Sequence, residues 1–357
     1  MTARIPLIAL AAAWLGICTM AHAGAVGEIH RMAHTPSAAL RDARHSDALR
    51  ITVWYPAAGG AAETPLQIGP PEHPLFDAGR AAADAPFAPG RHPVILFSHG
   101  FGGSARMMAW FGTALARAGD VVIAVDHPGT NGRDPITMAG SLLVWDRAVD
   151  LRVALDTAKA DAQIGPHLDL QRLGVAGFSA GGITALLSAG ARVDVDHYLQ
   201  FCHAHAADPT CAAQAEAPGL TLAAREQAMK TPEMAPQAKH AGDDYAIPGV
   251  RAAFVMAPGG IEALAPRSLR AIDTPVSILL GDADPVAPPA SNGELAASLL
   301  PHASLKTLPG VGHYDFLADC TALGRQREPL CKHFRTPQQR THATAIATAE
   351  AFFANHL

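Results

Sequence analysis

Five compact apolar runs, each closed by Gly, Pro or Asp, organise the chain: "PVILFSHG", "GDVVIAVDHPG", "RLGVAGFSAGG", "VRAAFVMAPGG" and "TPVSILLGDADP". Their hydrophobic positions are continuous rather than alternating, as strands covered on both faces of a parallel sheet require. Between them lie "SARMMAWFGTALARAG", "LLVWDRAVDLRVALDTAKA" and "GGITALLSAGAR", whose apolar residues recur three and four apart and predict helices. Strand alternating with helix predicts a doubly wound α/β domain with a mostly parallel sheet.

Three stretches depart from this rhythm. "LRITVWYPAAGG" puts β-branched and aromatic residues ahead of a Pro/Gly turn, so 49–55 reads as an edge strand. The Pro-, Gly- and Ala-rich stretch 57–92 reads as a long surface connection. Residues 193–247 give no strand signal; they read as a lid inserted over the C-terminal strand ends, partly helical around "TLAAREQAMK". Neither an internal repeat nor a second self-sufficient domain is visible.

The first 24 residues, "MTARIPLIALAAAWLGICTMAHAG", have Arg4, an apolar stretch from Ile5 to about Met20, and an Ala21-His22-Ala23 cleavage pattern. Residues 1–23 therefore read as a signal peptide, leaving 24–357 as an exported, periplasmic or secreted domain. The apolar run is shorter than the ~20 residues of a spanning helix, so no stable membrane anchor is expected. A formal charge of −5, without long like-charge runs, gives no electrostatic footprint for nucleic acid. With Cys18 removed, Cys202, Cys211, Cys320 and Cys331 remain, an even count that predicts disulfides, most simply as the two local loops Cys202–Cys211 and Cys320–Cys331. "CHAHAADPTC" also offers metal-ligating side chains but lacks C-x-x-C or H-x₃₋₅-H spacing, so no metal is expected there.

The chemistry gathers at Gly177-Phe178-Ser179-Ala180-Gly181. A nucleophilic serine must project from the backbone towards its substrate. A sharp strand-to-helix turn achieves this only if the residues two before and two after it are small. The backbone N–H of Ala180 and that of Phe101, in the glycine-rich loop "SHGFGGS", are the expected oxyanion donors. His99 reads as an organiser of that loop rather than the base. Of 18 histidines, His313 stands out by position, in a Gly-rich turn after the last apolar strand. Asp282 and Asp284, at the end of the strand before, are the candidate acids. The order Ser, Asp, His is one of several in which this triad occurs.

Through "WYPA", "SHGFGG", "GFSAGG", "GDADPVAPP" and "GVGHYDF" the chain resembles the α/β-hydrolase superfamily, and within it the exported dienelactone-hydrolase-like esterases related to platelet-activating-factor acetylhydrolases. The resemblance implies the α/β-hydrolase fold, and its pattern G-x-x-D, apolar residue and Pro selects Asp284 as the acid. Two departures stand: Ser179 replaces the cysteine of dienelactone hydrolases, and "VRAAFVMAPGG" lacks the acid that plasma-type acetylhydrolases carry there. The expectation is a cofactor-independent serine carboxylic-ester hydrolase acting on a small-molecule, lipid or polymer ester through Ser179, Asp284 and His313. A peptidase or amidase of the same fold is the alternative, and a non-catalytic binding protein a more distant one.

Overall fold

The computed structural model describes residues 24–332, 334 and 337–357; the expected signal peptide lies outside the described residues. Eleven strands share one sheet: β1 Val26–His34, β2 Ala48–Pro56, β3 Thr64–Ile68, β4 Phe76–Ala83, β5 His92–Ser98, β6 Val121–Asp126, β7 Leu168–Phe178, β8 Val250–Met256, β9 Val276–Gly281, β10 Ala303–Leu308 and β11 Asp319–Cys320. The spatial order is β10-β9-β8-β7-β5-β6-β2-β1-β4-β11, with β3 on β4. The six strands from β10 to β6 run parallel, and β2 joins β6 antiparallel. This is the mostly parallel sheet that the apolar runs predict, and it has the α/β-hydrolase form that the resemblance implies.

Each parallel strand sends alternate residues to opposite faces, so both faces need cover and the sequence reads as continuously apolar. On one face Leu96, Ile123, Val175 and Val255 pack with Leu151 of helix Asp146–Ala160 and Leu186 of helix Ala180–Ser188. On the other, Phe97, Val122, Ala176 and Phe254 pack with Phe111 of helix Ala109–Ala118 and Phe353 of helix Gln338–His356. Connections from β5 and β7 leave in opposite senses: β6 lies on one side of β5 and β7 on the other. That divergence opens a crevice at their C-terminal ends, where α/β sheets place ligands.

Two expectations need correction. The strand predicted at 49–55 is not an edge strand: β2 is flanked by β1 and β6 along its length. Nor is 57–92 merely a surface connection, since it contains β3 and β4. Both were obscured by composition. The inward residues of β4 include Ala78, Ala81 and Ala82, too small to signal a core strand, yet all buried. Residues 193–247 contain helices Val195–Ala204, Leu222–Ala228 and Met234–Ala238 and no named strand. Cys202 is bonded to Cys211 and Cys320 to Cys331, with Cα separations of 5.4 and 6.1 Å. No helix among the described residues is long and apolar enough to cross a membrane.

Candidate active site

β7 ends at Phe178, and helix Ala180–Ser188 begins two residues later, so Ser179 alone makes the turn. Its backbone sits at φ 55° and ψ −121°, a left-handed conformation that costs a non-glycine residue of order 1–3 kcal/mol. The flanking glycines explain how the turn closes. A Cβ on Gly177 would collide with the Gly181 carbonyl, and one on Gly181 with the Ser98 carbonyl. The Ser179 N–H is held by the Met256 carbonyl of β8 at 2.9 Å. Its side chain thus stands at the crevice, with the helix's positive end beside it.

Here the structure brings together three of the residues expected from sequence. Ser179 Oγ lies 2.8 Å from His313 Nε2, and His313 Nδ1 lies 2.7 Å from Asp284 Oδ2. The other Asp284 oxygen accepts from the backbone N–H groups of Val286 and Ala287, both at 2.8 Å, which fixes the carboxylate plane. Asp284 and His313 are buried. Asp282 is exposed and accepts instead from Gly310 N–H at 2.7 Å, as a turn aspartate does. Phe101 and Ala180 both border the cavity in front of Ser179.

His99 is fully buried away from Ser179 Oγ. Its Nδ1–H donates to the Gly100 carbonyl at 2.6 Å while Nε2 accepts from His127 N–H at 3.1 Å, which specifies the neutral tautomer. Burial, and then the charge of Arg147, push its pKa down to about 4. It organises the loop, as its position after β5 implies.

Beneath that loop lies a polar network that the sequence reading missed. Arg147, buried, donates to Thr184 Oγ1 at 3.0 Å, Thr130 Oγ1 at 2.8 Å, Ser98 Oγ at 3.2 Å and the His99 carbonyl. One guanidinium therefore joins the end of β5, the loop after β6 and the helix that follows Ser179. Burial presses its pKa down to about 9, still charged at neutral pH. Next to it, His127 bridges Ser98 Oγ at 2.9 Å and Asp150 Oδ2 at 2.8 Å, and Arg41 grips Asp150 with two bonds of 2.7 and 2.9 Å. Burial opposes ionisation of Asp150, but the Arg41 charge and the bonds from His127 and Arg41 outweigh it and hold the carboxyl at about 2. No spacing signals this cluster, because residues 41, 98, 127 and 147 meet only in the fold. The one local hint is Asp126-His127-Pro128 at the end of β6.

Two cavities meet at Ser179. One, of about 190 Å³, is bounded by Leu142, Trp145 and Ile183 below and by Leu199, Leu222 and Met229 of the 193–247 segment above. The other, of about 240 Å³, is bounded by His313, Tyr314, Met107 and the glycine-rich loop.

Comparison with known proteins bears on the fold and the family. A ferulic acid esterase from Streptomyces cinnamoneus superposes with a TM-score of 0.62 at 21% identity, over 93% of this chain and 90% of its own, and so shares the fold. A puromycin-hydrolyzing peptidase from Mycobacterium tuberculosis aligns over 92% of this chain but 39% of its own, at 17% identity and a TM-score of 0.47, too low to bear on the fold. No curated protein matches the sequence. The family model described as serine aminopeptidase S33 matches residues 90–318, well over half the chain, from the start of β5 to the end of the site. The chain belongs to that family, and is a serine hydrolase of the α/β-hydrolase type.

Proposed function

We propose that the protein is a carboxylic-ester hydrolase in which Ser179 is the nucleophile, His313 the general base and Asp284 the residue that orients the histidine. The observation that carries this reading is the unbroken row Asp284–His313–Ser179, with bonds of 2.7 and 2.8 Å, opening onto an apolar cavity. His313 takes the Ser179 proton as Oγ bonds to the ester carbonyl carbon. The N–H groups of Phe101 and Ala180 receive the negative oxygen. The acyl C–O bond then breaks and His313 hands its proton to the departing alcohol. Water, deprotonated by the same histidine, attacks the acyl-enzyme; its hydroxyl goes to the acid and its proton returns through His313 to Ser179.

The family's name raises aminopeptidase activity as a second reading. An aminopeptidase must hold a free ammonium on the acyl side of the scissile bond, which calls for an unengaged carboxylate there. In the 190 Å³ cavity, which His313 does not border and which is therefore the acyl side, the one carboxylate among the described residues, Glu226, accepts from His203 at 2.6 Å, and the neighbouring charge is the cation Arg225. This favours esters. Residues 193–247 act as the lid in this reading, export through a signal peptide at 1–23 fits the two disulfides, and the narrower kinship with dienelactone-hydrolase-like esterases belongs to the same proposal.

Turnover of short p-nitrophenyl esters beside peptide p-nitroanilides is the test. Esters should be cleaved and a fluorophosphonate should label Ser179; Ser179→Ala should lower kcat by about 10⁴ or more. Preferential anilide cleavage selects the peptidase, and near-normal activity of the folded Ser179→Ala variant overturns the assignment.

A further inference from the structure

Resting on the ester-hydrolase reading, the two cavities at Ser179 have separate occupants. His313 must deliver its proton to the leaving oxygen, so the alcohol lies in the cavity that His313 borders. The 190 Å³ cavity borders Ser179, Phe101 and Ala180 but not His313, so it receives the acyl group. An apolar cavity of roughly 150 Å³ holds a benzene ring. A volume of 190 Å³ therefore suits a single ring or a chain of about six carbons, and not a long fatty acyl tail.

The walls of that cavity are mainly apolar, and the charged side chains that line it, among the described residues, belong to the lid. Arg225, from helix Leu222–Ala228, is the one cation among the described residues that line it. Its Nε is covered by protein and has no hydrogen-bond partner among the described residues. Covered donors left unpaired are rare and call for an explanation. Glu226 beside it does not supply the acceptor, being engaged by His203, and the Tyr198 hydroxyl, which bonds the guanidinium, leaves Nε unpaired.

We infer that the acyl group ends in an oxygen acceptor, a carboxylate above all, which Arg225 receives at the lid side of the cavity while the ester carbonyl sits at Ser179. The substrate class is thus the monoester of a dicarboxylic acid of about six carbons, or its ring-containing equivalent. The apolar walls fit the middle of such a chain, and a carboxylate entering them without Arg225 would lose its hydration uncompensated. Arg225 is here a specificity-determining residue: it bears on which acyl group enters, not on the bond changes at Ser179.

The test compares mono-p-nitrophenyl adipate with p-nitrophenyl hexanoate, which share six carbons and the leaving group and differ in the terminal carboxylate. The ratio of their kcat/KM values is independent of the active fraction. In the native protein the adipate ester should be preferred at least about tenfold, because a site built around a polar partner discriminates strongly. Arg225→Met should lower that ratio by at least about tenfold, and Arg225→Lys should fall between. Fluorophosphonate labelling of each variant verifies that its site is assembled. A native preference for hexanoate, or a ratio unmoved in Arg225→Met, overturns the inference while p-nitrophenyl acetate turnover keeps the ester-hydrolase reading. Absence of turnover on all three esters overturns both.

Discussion

Replacing Arg147 with Met tests whether the buried guanidinium positions the oxyanion loop or merely fills space. Methionine keeps much of the side chain's length and apolar volume but removes all four hydrogen bonds to Thr184, Thr130, Ser98 and the His99 carbonyl. Three of those acceptors are hydroxyls that can turn to other partners; Thr184 already donates to the Ala180 carbonyl at 3.2 Å. The His99 carbonyl cannot turn and is left without this donor, at a cost of about 1–3 kcal/mol. Losing the bonds of a charged group adds to this, while no longer burying the charge offsets part of it. The net expectation is a destabilisation of about 2–4 kcal/mol by urea denaturation. The kinetic effect should fall on kcat. His99 leads directly into the loop that carries Phe101 N–H, and Thr184 lies on the helix that begins with Ala180, so the two proposed oxyanion donors lose their common tie. Misplacement by about 1 Å is worth roughly 10²-fold in rate, with KM for a p-nitrophenyl ester changing far less. Arg147→Lys should recover part of kcat, since an ammonium reaches fewer of the four acceptors. If the kcat of Arg147→Met falls no more than its folded fraction, or if KM rises in step, the guanidinium does not position the donors.

The two aspartates of the turn after β9 should separate cleanly: Asp284→Asn should lower kcat by about 10⁴ through the wrong histidine tautomer, whereas Asp282→Asn should cost about 1 kcal/mol of stability and little rate. The reverse ranking at equal folded fraction would assign the acid to Asp282. A chain beginning at Gly24 should show no free thiol when unfolded without reductant, and two or more reactive groups would contradict the pairing of Cys202 with Cys211 and Cys320 with Cys331. His342, stacked on Trp110 at 3.7 Å and donating to the Leu317 carbonyl at 2.8 Å, is lowered by burial to about 4. Its unfolded form takes up a proton first, near pH 6.5, so its contribution to stability is lost as pH falls from about 6.5 towards 4. Between pH 7.5 and 5 the native protein should lose about 2 kcal/mol more than His342→Gln, measured by urea denaturation at each pH, and parallel pH profiles would refute this. Asp120 and Asp146, raised by burial to about 7 and about 6, act in the opposite direction but equally in both proteins.

How far sequence could reach depended on whether a feature is local. The parallel strands were legible because burial on both faces demands an unbroken apolar run, and β5 to β9 each have one. The turn at Ser179 was legible because its steric needs fall on positions two residues away, Gly177 and Gly181. His313 was readable from its place after the last apolar strand; the strand before it offered both Asp282 and Asp284, and the choice of Asp284 came from the family resemblance. β1, β3 and β4 were not, since their buried residues are largely Ala, or stand among exposed His, Gln, Asp and Arg. Arg225 was visible only as part of a helix. That its Nε lacks a partner depends on which side chains surround it.

The network under the oxyanion loop poses a sharper question, because it repeats the arrangement proposed for catalysis. Ser98, His127 and Asp150 are joined by bonds of 2.9 and 2.8 Å, much as Ser179, His313 and Asp284 are by 2.8 and 2.7 Å. Side-chain identity and spacing therefore do not distinguish the two serines; three physical differences favour Ser179 as the proposed nucleophile. Ser98 ends an extended strand and is fully buried, whereas Ser179 is thrust out by a left-handed backbone at the meeting of two cavities. Asp150 has its charge engaged by Arg41, whereas Asp284 accepts from two neutral backbone N–H groups and its charge stays available to an imidazolium. A base must also be able to hold the proton it takes. His127 lies in a dry interior beside Arg147, and burial together with that charge puts its pKa well below the ordinary value. The same Arg147 that ties the loop together thus adds to burial in opposing a second triad at Ser98.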